Sequence, residues 1–155
     1  MSDATGPAGR SLRVLVVDDN VQHVVTTRLL LQHAGFDVAI ALRGAEVFAE
    51  VGRFKPDAVL LDIGLPELNG YEVARELRAA LPRLLIIAVT AYGSQTDRML
   101  AKMAGFDHHI TKPYDPNDLV ALLGRHALKL ARGEAASPWP YEIRGPADEG
   151  EMPGS

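Results

Sequence analysis

Apolar positions along the chain alternate between two patterns. Five runs of strand length occur at residues 12–17, 36–41, 57–61, 84–89 and 106–111. The first, third and fourth are almost wholly apolar, which predicts strands covered on both faces. The fifth is more polar. Between the runs lie stretches with a 3.6-residue apolar period, the signature of helices with one buried face. Over residues 21–34 the predicted inward face is Val21, Val24, Val25, Leu29 and Leu31, with Leu30 opposite. A short helix over 45–51 closes at Gly52. A third starts near Gly70, turns Val73, Ala74, Leu77 and Leu81 inward, and ends before Pro82. A fourth spans 93–104 and is capped by Gly105. The last starts at Asp115 or Asn117 and carries Leu119, Leu122, Leu123 and Leu130 on one face.

Strands alternating with helices predict one α/β domain with a doubly wound, five-stranded parallel sheet and five helices. Right-handed crossovers and a central first strand favour the flavodoxin-like order 2-1-3-4-5. The domain is predicted over residues 11–130, after a disordered lead at 1–10. Residues 131–155 contain eight Gly or Pro and no apolar period. They read as a flexible tail, dispensable for phosphorylation, whose removal after Leu130 should leave the melting temperature nearly unchanged.

Composition narrows the function. The formal net charge is −4, with no basic cluster, so a nucleic-acid partner is not expected. No apolar run approaches a membrane span, and the first residues lack the features of a signal peptide. There is no cysteine, which excludes disulfides and thiolate metal sites and fits a cytoplasmic location.

The chemistry lies where the strands stop. The first ends at Asp18-Asp19, the third at Asp62, the fourth at Thr90 and the fifth at Lys112. In a parallel sheet these ends share one edge, where open α/β sheets put their ligands. At about 4 Å and an effective dielectric near 20, two carboxylates repel by roughly 4 kcal/mol. A hard divalent cation such as Mg²⁺ offsets that repulsion, and Lys112 offsets more. An anion that met the metal, Lys112 and Thr90 would complete the charge balance. A phosphoryl group fits, with Asp62 as nucleophile forming an acyl phosphate.

Asp18-Asp19-Asn20, Asp62-Ile63-Gly64-Leu65-Pro66 with Gly70, Thr90-Ala91 and Lys112-Pro113 together resemble the receiver domains of two-component response regulators, over residues 12–130. The resemblance implies that Asp62 accepts phosphate from a histidine kinase or phosphotransfer protein. It implies Mg²⁺ ligation by Asp19, Asp62 and the Gly64 backbone carbonyl, with Asp18 acting through water. It implies that Thr90 and Lys112 hold phosphoryl oxygens, and that Lys112-Pro113 is a cis peptide. Partners would be the phosphate donor, a downstream protein target and a homodimer formed on phosphorylation. The only catalysis implied is self-phosphorylation and self-dephosphorylation. With no output domain in view, signalling through protein contacts is expected. The family often has Tyr or Phe three residues before the Lys, as a switch coupled to the Thr; here the position is His109.

Three other readings are weaker. A metal-dependent phosphohydrolase using an aspartyl phosphate commonly has a second Asp two residues after the nucleophile, and here that residue is Gly64. A flavodoxin-like cofactor binder needs a phosphate loop after the first strand, where Asp18-Asp19-Asn20 would repel phosphate. Zinc at His108-His109 fails because neighbours in a strand face opposite ways. His126 reads as a packed helix histidine, Arg78 as part of a solvated helix face, and Trp139-Pro140-Tyr141 as aromatics in a loose tail.

Overall fold

The computed structural model describes residues 11–64 and 69–139. Expectations for 1–10, for Leu65 and Pro66, and for 140–155 lie outside the described residues. The elements are β1 (Arg13–Val17), α1 (Val21–His33), β2 (Asp37–Ala41), α2 (Val47–Phe54), β3 (Ala58–Asp62), α3 (Gly70–Ala80), β4 (Leu85–Thr90), α4 (Gln95–Ala104), β5 (His108–Thr111) and α5 (Pro116–Ala131). The strands form one sheet of order β2-β1-β3-β4-β5, parallel throughout.

Successive side chains of a strand face opposite ways, so each central strand feeds both apolar layers. Leu15, Val17, Val59, Leu61, Ile86 and Ala88 pack with residues of α2, α3 and α4. Val14, Val16, Leu60, Ile87 and Val89 pack with α1 and α5. All six residues of β4 are buried, as its unbroken apolar run predicted.

Caps set the helix starts. The side chains of Asn20, Asn69 and Asp115 accept backbone N–H bonds from His23, Tyr71 and Asn117. Ser94 and Asp97 form a reciprocal capping box, which starts α4 at Gln95 rather than at 93. Gly52 does not end α2. The helix runs on to Phe54, and Lys55 caps it in the left-handed conformation at φ 55°.

The inward face of α1 also differs from its sequence pattern. Val24 and Leu31 are buried, whereas Val21 and Leu29 are exposed. The apolar residues of this helix lie nearly all round it, so only docking on the sheet decides which ones are covered.

Gly70 marks a close approach. A Cβ there would lie 2.9 Å from the Ile63 backbone. This glycine lets the start of α3 sit against the loop that follows Asp62. Gly70→Ala is expected to cost about 1–3 kcal/mol, read from chemical denaturation against Gly52→Ala, whose Cβ meets nothing within 4 Å inside α2 and which should instead stabilise by about 0.5–1 kcal/mol.

Two expectations need correction. Arg78 is no solvated bystander. Its guanidinium donates to the carbonyls of Pro82, Leu84 and Gly105 and to the Asp107 carboxylate. Trp139 is also not loose: its indole packs against the α2–α4 layer of the core.

Candidate functional site

The parallel sheet brings Asp18, Asp19, Asp62, Thr90 and Lys112 to its carboxyl edge. One oxygen from each of the three aspartates can be chosen so that all lie within 4.8 Å of one another. Lys112 Nζ donates to Asp62 Oδ2 at 3.1 Å. The other Asp62 oxygen accepts the Gly64 N–H at 2.9 Å, which fixes the carboxylate plane. Asp18 Oδ1 accepts the Asn20 N–H at 3.0 Å, while His23 Nδ1 lies 3.8 Å from Asp18 Oδ2.

The backbone holds these groups in register. Asp62 pairs with Val89 across the sheet, and the Lys112 N–H donates to the Thr90 carbonyl at 2.8 Å. The Lys112-Pro113 peptide is cis. Thr90 is buried, and its Oγ1 accepts the Tyr92 N–H at 3.0 Å.

Electrostatics follow from burial and crowding. Burial raises the Asp18 pKa above the ordinary value; the Asn20 N–H and Lys112 pull it down, and Asp62 pushes it up again. Burial works against the Lys112 charge, but its hydrogen bond to Asp62 and the fields of Asp62 and Asp18 outweigh that, so its pKa is raised. Lys112 is therefore a fixed positive charge at neutral pH. The three carboxylates form a donor set of hard oxygens of the kind Mg²⁺ takes.

Beside this group a cavity of about 490 Å³ runs between α1 and the segment after β5, lined by Thr26, Thr27, Leu30, Leu60, Val89 and Tyr114 among others. Nothing in the sequence pattern pointed to it. His23 was also missed; its third place in α1 is what turns it back toward Asp18.

His109 lies beneath α4, on the same face of β5 as Thr111. Both its ring nitrogens and the Thr111 hydroxyl are buried without a hydrogen-bond partner. Burial, then the nearby Arg98, lower the His109 pKa, with Asp97 opposing.

Residues 14–124 match the response regulator receiver domain family, and the chain belongs to it. The transcriptional regulatory protein PhoP of Bacillus subtilis is 34% identical over 140 residues, which is 90% of this chain and 57% of the relative. The DNA-binding response regulator MtrA of Mycolicibacterium smegmatis is 37% identical over 124 residues, 79% of this chain and 52% of the relative. The chain thus spans about half the length of the curated relatives it matches. A CheY-like receiver domain protein from Methanospirillum hungatei superposes with a TM-score of 0.73 at 29% identity, covering 80% of this chain and 98% of that one. The receiver domain of a sensor histidine kinase from Pseudomonas aeruginosa, described with magnesium in its active-site cleft, gives 0.68 at 32% identity, covering 75% and 97%.

These relatives correct one expectation. A signalling role without nucleic acid was read from the acidic composition, yet MtrA is a DNA-binding regulator and PhoP a transcriptional one. Net charge describes the receiver portion alone and has no bearing on what a longer relative binds. Among the described residues, no helix is long and apolar enough to cross a membrane.

Proposed function

We propose that Asp62 is the phospho-acceptor of this receiver domain, over a unit at 11–130, taking its phosphoryl group from a histidine kinase or phosphotransfer protein. The observation that carries this is the Asp62 carboxylate held between Lys112 Nζ and the Gly64 N–H, next to two further carboxylates. Asp19, Asp62 and the Gly64 carbonyl would hold Mg²⁺, with Asp18 acting through water. When bound, the ion supplies positive charge to the oxygens of the transferring group. Asp62 attacks phosphorus, the bond to the donor atom breaks, and Lys112 and Thr90 take phosphoryl oxygens. Apart from this self-phosphorylation and its reversal by water, no turnover of an external substrate is proposed. In a product as long as PhoP or MtrA, DNA would be the partner of the whole, controlled by this domain. The test is intact-mass measurement after incubation with a phosphorylated kinase or acetyl phosphate. An 80-Da adduct is the mass of one phosphoryl group; it should form with about 10 mM Mg²⁺ and be suppressed by EDTA. An adduct indifferent to EDTA would overturn the metal reading.

Thr90 and His109 form the proposed relay. Rotation of the Thr90 hydroxyl toward a phosphoryl group frees space beneath α4, into which the neutral His109 ring, its nitrogens already buried there, moves further. Because burial lowers its pKa, the unfolded chain binds more protons as pH falls. Stability is then complete above the unfolded pKa of about 6.5 and declines as pH drops through it toward the folded value. Urea denaturation between about pH 7.5 and 5.5 should show this decline, with a shallower slope in His109→Tyr. Equal slopes would show that His109 is not the group responsible.

A further inference from the structure

After α5 the chain makes a built turn. Gly133 adopts φ 76°, and the N–H groups of Arg132, Gly133, Glu134 and Ala135 return to the carbonyls of Leu128, Leu130 and Lys129. Ala135 then packs against the α1/α5 layer, whereas Trp139 packs against the α2–α4 layer. Residues 132–139 therefore pass beneath the amino ends of the strands, on the edge opposite Asp62. At the far side the Trp139 indole N–H donates to the Pro56 carbonyl at 2.8 Å. Lys55 Nζ lies 4.8 Å above the ring centroid while donating to the Gly52 carbonyl at 3.2 Å. Pro138 is buried, and the Ser137 hydroxyl accepts the Trp139 N–H at 3.2 Å.

An indole with its donor satisfied, a cation on one face and an apolar floor is a docked side chain. We infer that residues 132–139 are a strap, latched by Trp139 into an aromatic-docking site at the α2–β3 corner. The strap moves the point at which the following chain departs from the end of α5 to that corner. Anything continuing beyond residue 139 is thereby tethered at the sheet edge remote from Asp62, in either phosphorylation state. The left-handed Lys55 serves this twice: it ends α2, and it turns its ammonium over the ring.

Trp139 is the only tryptophan in the chain, so it reports on the strap directly. In the full chain its single indole N–H signal should exchange at least about tenfold more slowly than a free indole. Its fluorescence should be blue-shifted and resist acrylamide. Lys55→Asn keeps a residue that tolerates the left-handed backbone but removes the cation, and should raise quenching about twofold. Trp139→Ala should lower the melting temperature by several degrees while the rate of phosphate uptake stays unchanged. Beryllofluoride with Mg²⁺ should move the amides of Asp62 and Gly64 but not the indole. If those amides do not move, the phosphorylation reading fails and the strap stands on the protection data alone. Free-rate exchange with solvated emission in the wild type would overturn the strap, and an indole shift on beryllofluoride binding would overturn its independence of state.

Discussion

Asp62→Asn is expected to eliminate phosphate uptake, a loss of at least about a thousandfold, without unfolding the protein. The amide oxygen is a far poorer nucleophile than the carboxylate it replaces. Its shape is nearly the same, and it still accepts the Gly64 N–H that Asp62 Oδ1 accepts at 2.9 Å. The substitution also removes one of three crowded carboxylates. Mutual repulsion falls, so the melting temperature should hold or rise in metal-free buffer. Lys112→Met tests the other half of the site. It removes the 3.1 Å contact to Asp62 and the positive charge that would meet phosphoryl oxygens, and a rate loss of about a hundredfold is expected. Intact-mass kinetics and thermal denaturation of both variants decide the matter. Phosphate still arriving on Asp62→Asn at the wild-type rate would mean that another residue is the acceptor.

Arg78→Ala should be strongly destabilising although the residue lies outside the apolar core. The guanidinium satisfies three backbone carbonyls, at Pro82, Leu84 and Gly105, with contacts of 2.7–3.1 Å. Those carbonyls lie at the end of α3, the start of β4 and the end of α4, so one side chain joins three chain segments. Its ion pair with Asp107 is partly exposed and contributes little by itself. The carbonyls left without a donor are the main loss. At about 1 kcal/mol each the total is about 3 kcal/mol, on the order of 10 °C in melting temperature. Arg78→Lys should recover only a minor part, since one ammonium cannot span a planar fork of acceptors. Phosphate uptake should persist below the new melting point, because the cluster sits at the opposite end of the sheet from Asp62. A variant as stable as wild type would show that water replaces the guanidinium without loss.

The sequence alone determined the five helices, the five strands and the site edge, and favoured the strand order that the sheet adopts. Both faces of the central strands are covered, so their apolar runs needed no tertiary information to be read. Carboxylates, a hydroxyl and a lysine at four parallel strand ends then had to meet, whatever the details of packing. Only the tertiary structure decided which residues α1 buries, because its apolar residues surround the helix and docking chooses among them. The same holds for Arg78 and Trp139. Each acts through backbone carbonyls distant in sequence, Gly105 for one and Pro56 for the other. A carbonyl is present at every residue, so no side-chain pattern marks it as a partner. The buried, unpaired nitrogens of His109 were likewise invisible: a histidine in a strand has the same letter whether its ring meets water or the underside of a helix. Local patterns fix what depends on periodicity and strand ends, while contacts between a side chain and a remote backbone are fixed only once the layers close.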